Sequence, residues 1–102
     1  MKTIEATELA ALGDDATIID VRQPDEYEAA RVAGATLIPL GELTGRLDEL
    51  PADRTLYIMC HSGGRSAQAT AFLEAQGIDA VNVAGGITAW AGAGLPVEQG
   101  MD

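Results

Sequence analysis

Apolar positions along the chain fall into short blocks that alternate between two periods. Thr17-Ile18-Ile19-Asp20-Val21, Leu56-Tyr57-Ile58-Met59 and Ala80-Val81-Asn82-Val83 are compact, largely unbroken apolar runs, as expected of strands buried on both faces. Lys2 to Ile4 and Thr36 to Ile38 read as shorter strands, the first at an edge. Between them lie helix-like stretches. Ala6 to Leu12 places Leu9 and Leu12 on one face and stops at Gly13. Pro24 opens a helix with Asp25, Glu26 and Glu28 near its positive end. Leu40, Leu43, Leu47 and Leu50 recur at spacings of three and four, which predicts a helical apolar face. Ser66 to Gln76 is alanine-rich and ends at Gly77, and Ile87 to Trp90 reads as a short helix after the Gly85-Gly86 turn. Strand and helix alternate throughout, which predicts an α/β domain with a mostly parallel five-stranded sheet and helices on both faces. The expected organisation is a single domain over residues 1–102, with its core at about 3–97, a closing segment Gly94-Leu95-Pro96-Val97 and frayed last residues.

Composition narrows this picture. A chain of 102 residues with 47% hydrophobic content can bury a core without disulfides or metals. No signal-peptide pattern or run of about 18 apolar residues is present, and a single cysteine fits a reducing compartment, so the cytoplasm is the expected location. A formal net charge of −10 argues against nucleic acid and anionic membranes as partners and favours a basic protein partner. Cys60, His61 and scattered acids do not form a structural zinc set, so no metal is expected. From Arg54 through Leu73 there is no acid and two arginines, so an anion would be tolerated there.

Inside that window lies the stretch with chemical character, Cys60-His61-Ser62-Gly63-Gly64-Arg65-Ser66. It stands between an apolar strand and a helix, where backbone N–H groups and the helix dipole hold an anion. A cysteine facing that cradle should be more acidic than a free thiol. Gly63 and Gly64 allow the backbone angles that turn N–H groups to one point. Arg65 either faces an anion or pairs with an acid that holds the loop. Ser62 and Ser66 are placed to hydrogen-bond a substrate or cap the helix, with capping the expected role for Ser66. His61 alternates with Cys60 and is expected to point away. Asp20 and Arg22 read as a structural pair at a strand end, Gly85-Gly86 as a turn beside the site, Trp90 as core, and the acids at 25–28 as a solvated face.

These residues resemble the rhodanese family, in particular its single-domain sulfurtransferases. The resemblance runs through Ile19-Asp20-Val21-Arg22 with Glu26-Tyr27, Gly34-Ala35-Thr36-Leu37-Ile38-Pro39-Leu40, the Cys60 loop, and Val83-Ala84-Gly85-Gly86-Ile87-Thr88-Ala89-Trp90 followed by Gly94-Leu95-Pro96. It implies a three-layer fold and a catalytic Cys60 that cycles between thiolate and persulfide, with His61 to Ser66 around the bound sulfur and no cofactor. The implied substrates are a small anionic sulfur donor such as thiosulfate and an external acceptor, cyanide or a cellular thiol. The alternative is a persulfide relay that takes sulfur from a protein donor such as a cysteine desulfurase and hands it on. Related phosphatases and arsenate reductases use a loop one residue longer than Cys60 to Arg65, which disfavours that chemistry here. The chain departs from the family at Ala30-Arg31-Val32, where many relatives carry Gly-His-Ile.

Overall fold

The computed structural model describes residues 1–100. Five strands form one sheet: β1 (Lys2–Ile4), β2 (Thr17–Asp20), β3 (Thr36–Leu37), β4 (Leu56–Met59) and β5 (Ala80–Val83), in the order β1-β5-β4-β2-β3. Every pairing is parallel, with Ile19 beside Ile58 and Ile58 beside Asn82. The helices are α1 (Ala6–Ala11), α2 (Pro24–Ala29), α3 (Gly64–Ala75) and α4 (Gly86–Gly92). No helix among the described residues is long and apolar enough to cross a membrane.

The two-residue period of the strands sorts side chains into two apolar layers. On one face Ile19, Val21, Leu56, Ile58 and Ala80 meet Ala69 and Leu73 of α3 and the leucines that follow β3. On the other, Ile18, Met59 and Val83 meet Ala6 and Leu9 of α1 and Ile87 and Trp90 of α4. Cys60 continues the alternation of Leu56 and Ile58 and lies on the α3 face.

The leucine-spaced stretch is not an α-helix. Leu40–Glu49 is built of two 3-10 turns joined at a kink, where Arg46 has φ −127° and ψ 21°. Gly41 and Gly45 remove helix propensity there, and the tighter turn still brings Leu43 and Leu50 into the core. Arg46 bonds Glu42 and Glu49 across the kink. The end of the described chain is also more ordered than expected: Arg31 and Glu98 exchange backbone hydrogen bonds of 2.9 and 2.8 Å, and Gly100 N–H donates to Glu28 O at 2.9 Å. Met101 and Asp102, the remainder of the segment expected to fray, lie outside the described residues. Arg31, the departure from the family pattern, supplies this tie, and its guanidinium also lies 5.4 Å over the Tyr27 ring.

Beyond β2 stands a buried ion pair. Arg22 Nη2 donates to Asp20 Oδ2 at 2.8 Å, and the same guanidinium donates to the carbonyls of Ala30 at 2.7 Å and Glu26 at 3.3 Å. It therefore closes the C-terminal end of α2 and joins it to β2, as the structural reading of the pair expects. Removing Arg22 would leave a carboxylate with no exposure and no countercharge. Arg22→Ala should cost about 3–5 kcal/mol in urea denaturation, and Arg22→Met with Asp20→Asn should cost less than Arg22→Ala alone.

Candidate active site

The chain leaves β2 toward β3 on one side and β4 toward β5 on the other, so the carboxyl ends of β2 and β4 frame the crevice where open parallel sheets bind ligands. Cys60 follows β4 into that crevice and is 1% exposed. Its Sγ accepts the Gly63 N–H at 3.1 Å and lies 3.4 Å from Ser66 Oγ. Gly63, at φ +110°, ends the loop and lets α3 begin at Gly64. Ser66 is therefore the third residue of α3 and not its cap. Its hydroxyl is turned inward, toward Cys60, the Gly63 carbonyl at 3.2 Å and the Asn82 side chain at 2.6 Å.

Burial pushes the Cys60 thiol pKa up. The Ser66 hydroxyl and the N–H groups of Ser66, Gly63 and Ser62 pull the other way and prevail, so the pKa is lowered. A thiolate here would be held by dipoles at the start of a twelve-residue helix.

The Arg65 guanidinium makes a two-pronged pair with Glu26, at 2.6 and 2.8 Å. Of the two roles open to Arg65, the loop-holding one is realised. The acid-free window in sequence is consequently not acid-free in space, and Glu26 is no solvated side chain. Glu26 also accepts the Gln23 N–H at 3.0 Å, so one carboxylate closes the start of α2 and anchors the start of α3. The hydrogen bonds from Arg65 are the main cause of the Glu26 pKa falling to about 2; partial burial opposes them and the Gln23 N–H assists.

His61 is exposed and turned away, with Nε2 3.5 Å from Thr88 Oγ1. Gly85 and Gly86 hold the loop from behind. Ile87 N–H donates to Cys60 O at 2.9 Å, and Thr88 N–H to His61 O at 3.1 Å. A Cβ on Gly86 would stand 2.2 Å from Cys60 O and 2.7 Å from His61 O, and the φ of +55° is itself a glycine conformation. Asn82 and Glu26 are the site residues that sequence reasoning missed. The available signal for Asn82 was a polar residue inside an apolar strand. For Glu26 it was an acid at the third position of a helix opened by Gln23-Pro24. A groove of about 600 Å³ lined by Leu9, Ile18, Trp90 and Leu95 belongs to the opposite face and does not include Cys60.

Comparison with known proteins points the same way. The family model described as "Rhodanese-like domain" matches residues 5–93. A protein of Allochromatium vinosum named "Sulfurtransferase" is 41% identical over 82% of this chain and 79% of its own length. A Bacillus subtilis protein, YrkF, whose name proposes a sulfur carrier, is 45% identical over 74% of this chain but only 41% of its own length. The crystal structure of a rhodanese-related protein from Thermoplasma volcanium superposes with a TM-score of 0.93, at 35% identity, over 96% of this chain and 98% of that one.

Two outcomes follow from this geometry. Gly86→Ala should lose about 3 kcal/mol or more in chemical denaturation, because the methyl group meets backbone carbonyls that have nowhere to move. The Glu26–Arg65 pair should contribute on the order of 1–2 kcal/mol, discounted because its outer edge meets solvent. Since the Glu26 pKa is depressed on folding, that contribution is full above the ordinary value of 4.5 and is lost as pH falls toward about 2. Urea melts across this range should show a flatter acid limb for Glu26→Gln than for the wild type.

Proposed function

The chain belongs to the rhodanese-like family, whose relatives here carry sulfur-transfer names, and from that premise we propose that it transfers sulfane sulfur from thiosulfate or a similar small donor to an external thiol or cyanide through a Cys60 persulfide. One observation carries the reading. The only thiol of the chain lies buried at the head of α3, its sulfur accepting the Gly63 N–H and lying beside the Ser66 hydroxyl.

In the first step the Cys60 thiolate attacks the outer sulfur of thiosulfate. The S–S bond of the donor breaks and its electron pair leaves on sulfite. The terminal sulfur of the resulting persulfide carries the negative charge and needs N–H donors. The loop amides from His61 to Ser66 are the proposed cradle. In the second step a nucleophilic acceptor attacks that terminal sulfur and Cys60 departs as thiolate. With no second cysteine, the chain cannot release the sulfur by forming an internal disulfide, so the acceptor comes from outside. A lone thiol of this kind suits a reducing compartment, and the cytoplasm is the proposed location.

One feature favours a protein-delivered variant of the same reaction. A net charge of −10 repels free thiosulfate at long range, whereas a basic partner would be attracted. In that reading a desulfurase-type donor passes a persulfide to Cys60.

Intact mass separates the readings. Mixing with thiosulfate should add one sulfur atom to the wild type and none to Cys60→Ser. Sulfur gained only from a cysteine desulfurase with cysteine would favour the relay. No sulfur from either source, with phosphate-ester turnover instead, would overturn sulfur transfer altogether.

A further inference from the structure

On β5 the side chain facing α3 next to Ala80 is Asn82, a carboxamide in the interior of a parallel sheet. It is 9% exposed and flanked by Ile58 of β4 and Thr3 of β1. Burying an amide among apolar side chains costs free energy unless its polar ends are used. Asn82 meets the Ser66 hydroxyl at 2.6 Å, and that hydroxyl lies 3.4 Å from Cys60 Sγ.

The proton count along this row gives Asn82 its role. Ser66 has one hydroxyl proton and three neighbours that could take it: the Cys60 sulfur, the Asn82 oxygen and the Gly63 carbonyl at 3.2 Å. With Cys60 as a thiol, the row runs from sulfur to Asn82: S–H donates to Ser66 Oγ, and Ser66 O–H donates to Asn82 Oδ1. A thiolate or persulfide has no proton on Sγ and can only accept. The row must then reverse, with Ser66 O–H donating to sulfur and a donor filling the lone pair of Ser66 Oγ. Turning the carboxamide end for end puts Nδ2–H in that place. Leucine offers neither end, and an ionised carboxylate can only accept.

We propose that Asn82 is a positioning residue for the reaction of Cys60: its carboxamide holds the Ser66 hydroxyl and, by exchanging its oxygen for its NH₂ end, commits the hydroxyl proton to the sulfur anion and away from the Gly63 carbonyl. The inference rests on the sulfur-transfer reading for its purpose, and on the three buried side chains for its geometry. The Ser66 hydroxyl is also the foremost of the groups that draw the thiol pKa down against burial. The charged groups near the crevice are Arg65 with Glu26 and Arg22 with Asp20, each paired. None of them is altered by a change at Asn82, so a shift in Cys60 titration on such a change belongs to the hydroxyl.

The test is a pH titration of thiolate absorbance for the wild type, Asn82→Leu, Ser66→Ala and the double variant, with a thermal melt of each. Asn82→Leu should show about tenfold less thiolate at a pH a unit or more below the wild-type midpoint, the loss of roughly one hydrogen bond to an anion. Its rate of sulfur uptake should fall by a similar factor there and recover at high pH, where every thiol is ionised. In the Ser66→Ala background, the same change should move the titration no further. Asn82→Ala, which only removes atoms, carries the same comparison if the leucine variant does not fold. A wild-type titration in either Asn82 variant, or an equal shift with and without the Ser66 hydroxyl, would overturn the proposal. If instead the wild type takes up no sulfur from any donor, the sulfur-transfer reading fails; the titration would still decide whether Asn82 commands the hydroxyl.

Discussion

The site depends first on a contact between two stretches of backbone. The carbonyls of Cys60 and His61 lie against Gly86 with no room for a Cβ, and they accept hydrogen bonds from the first turn of α4. Those bonds decide which way the loop's peptide planes face. Once its carbonyls are committed to α4, the loop's opposite edge, with its N–H groups, is free to face the sulfur. The positive-φ glycine at position 63 completes the turn by starting α3 directly beneath the thiol. The helix dipole, the inward hydroxyl and the lowered pKa all rest on this backbone arrangement.

The charges are distributed in an unexpected way. The arginine of the loop is engaged with a carboxylate from α2, and the second nearby arginine is engaged with Asp20. Neither stands as a bare cation beside the sulfur. Oriented N–H and O–H dipoles stabilise an anion without contributing a full charge, so they suit a group that must be held and then surrendered. A lysine or arginine at about 3 Å would hold any sulfur anion more tightly and release it more slowly. The paired arginines act one step removed, by fixing the elements from which the dipoles are presented.

The fold was legible because parallel strands buried on both faces carry near-continuous apolar runs, and the three inner strands, β2, β4 and β5, appear as such in the sequence. Cys60 and its loop were legible for a related reason, as a polar break between such a run and a helix. The leucine repeat was legible as helical but not as 3-10, because spacings of three and four suit both an α-helix and successive 3-10 turns, and only the two glycines favour the latter. Ser66 was misassigned because its role turns on where the helix begins, and a three-residue shift carries a side chain from the cap to the inner face. Glu26 and Asn82 escaped notice because their partners are distant in sequence. Glu26 lies 39 residues from Arg65 and Asn82 lies 16 from Ser66. Local pattern carries no information about such pairs; the strand order brings them together.

The strand order also bears on how the molecule is made. β1 precedes every other strand in the chain, yet it pairs with β5, Lys2 beside Val81 and Ile4 beside Val83. It can find no place in the sheet until β5 has been made. Until then, the apolar residues of α1, which pack with Ile87 and Trp90 of α4, have no partner either. Folding of β1 and α1 should therefore wait for β5 and α4, the elements they pack against. The same late partner, α4, shapes the Cys60 loop, so the thiol acquires its surroundings only once α4 has packed.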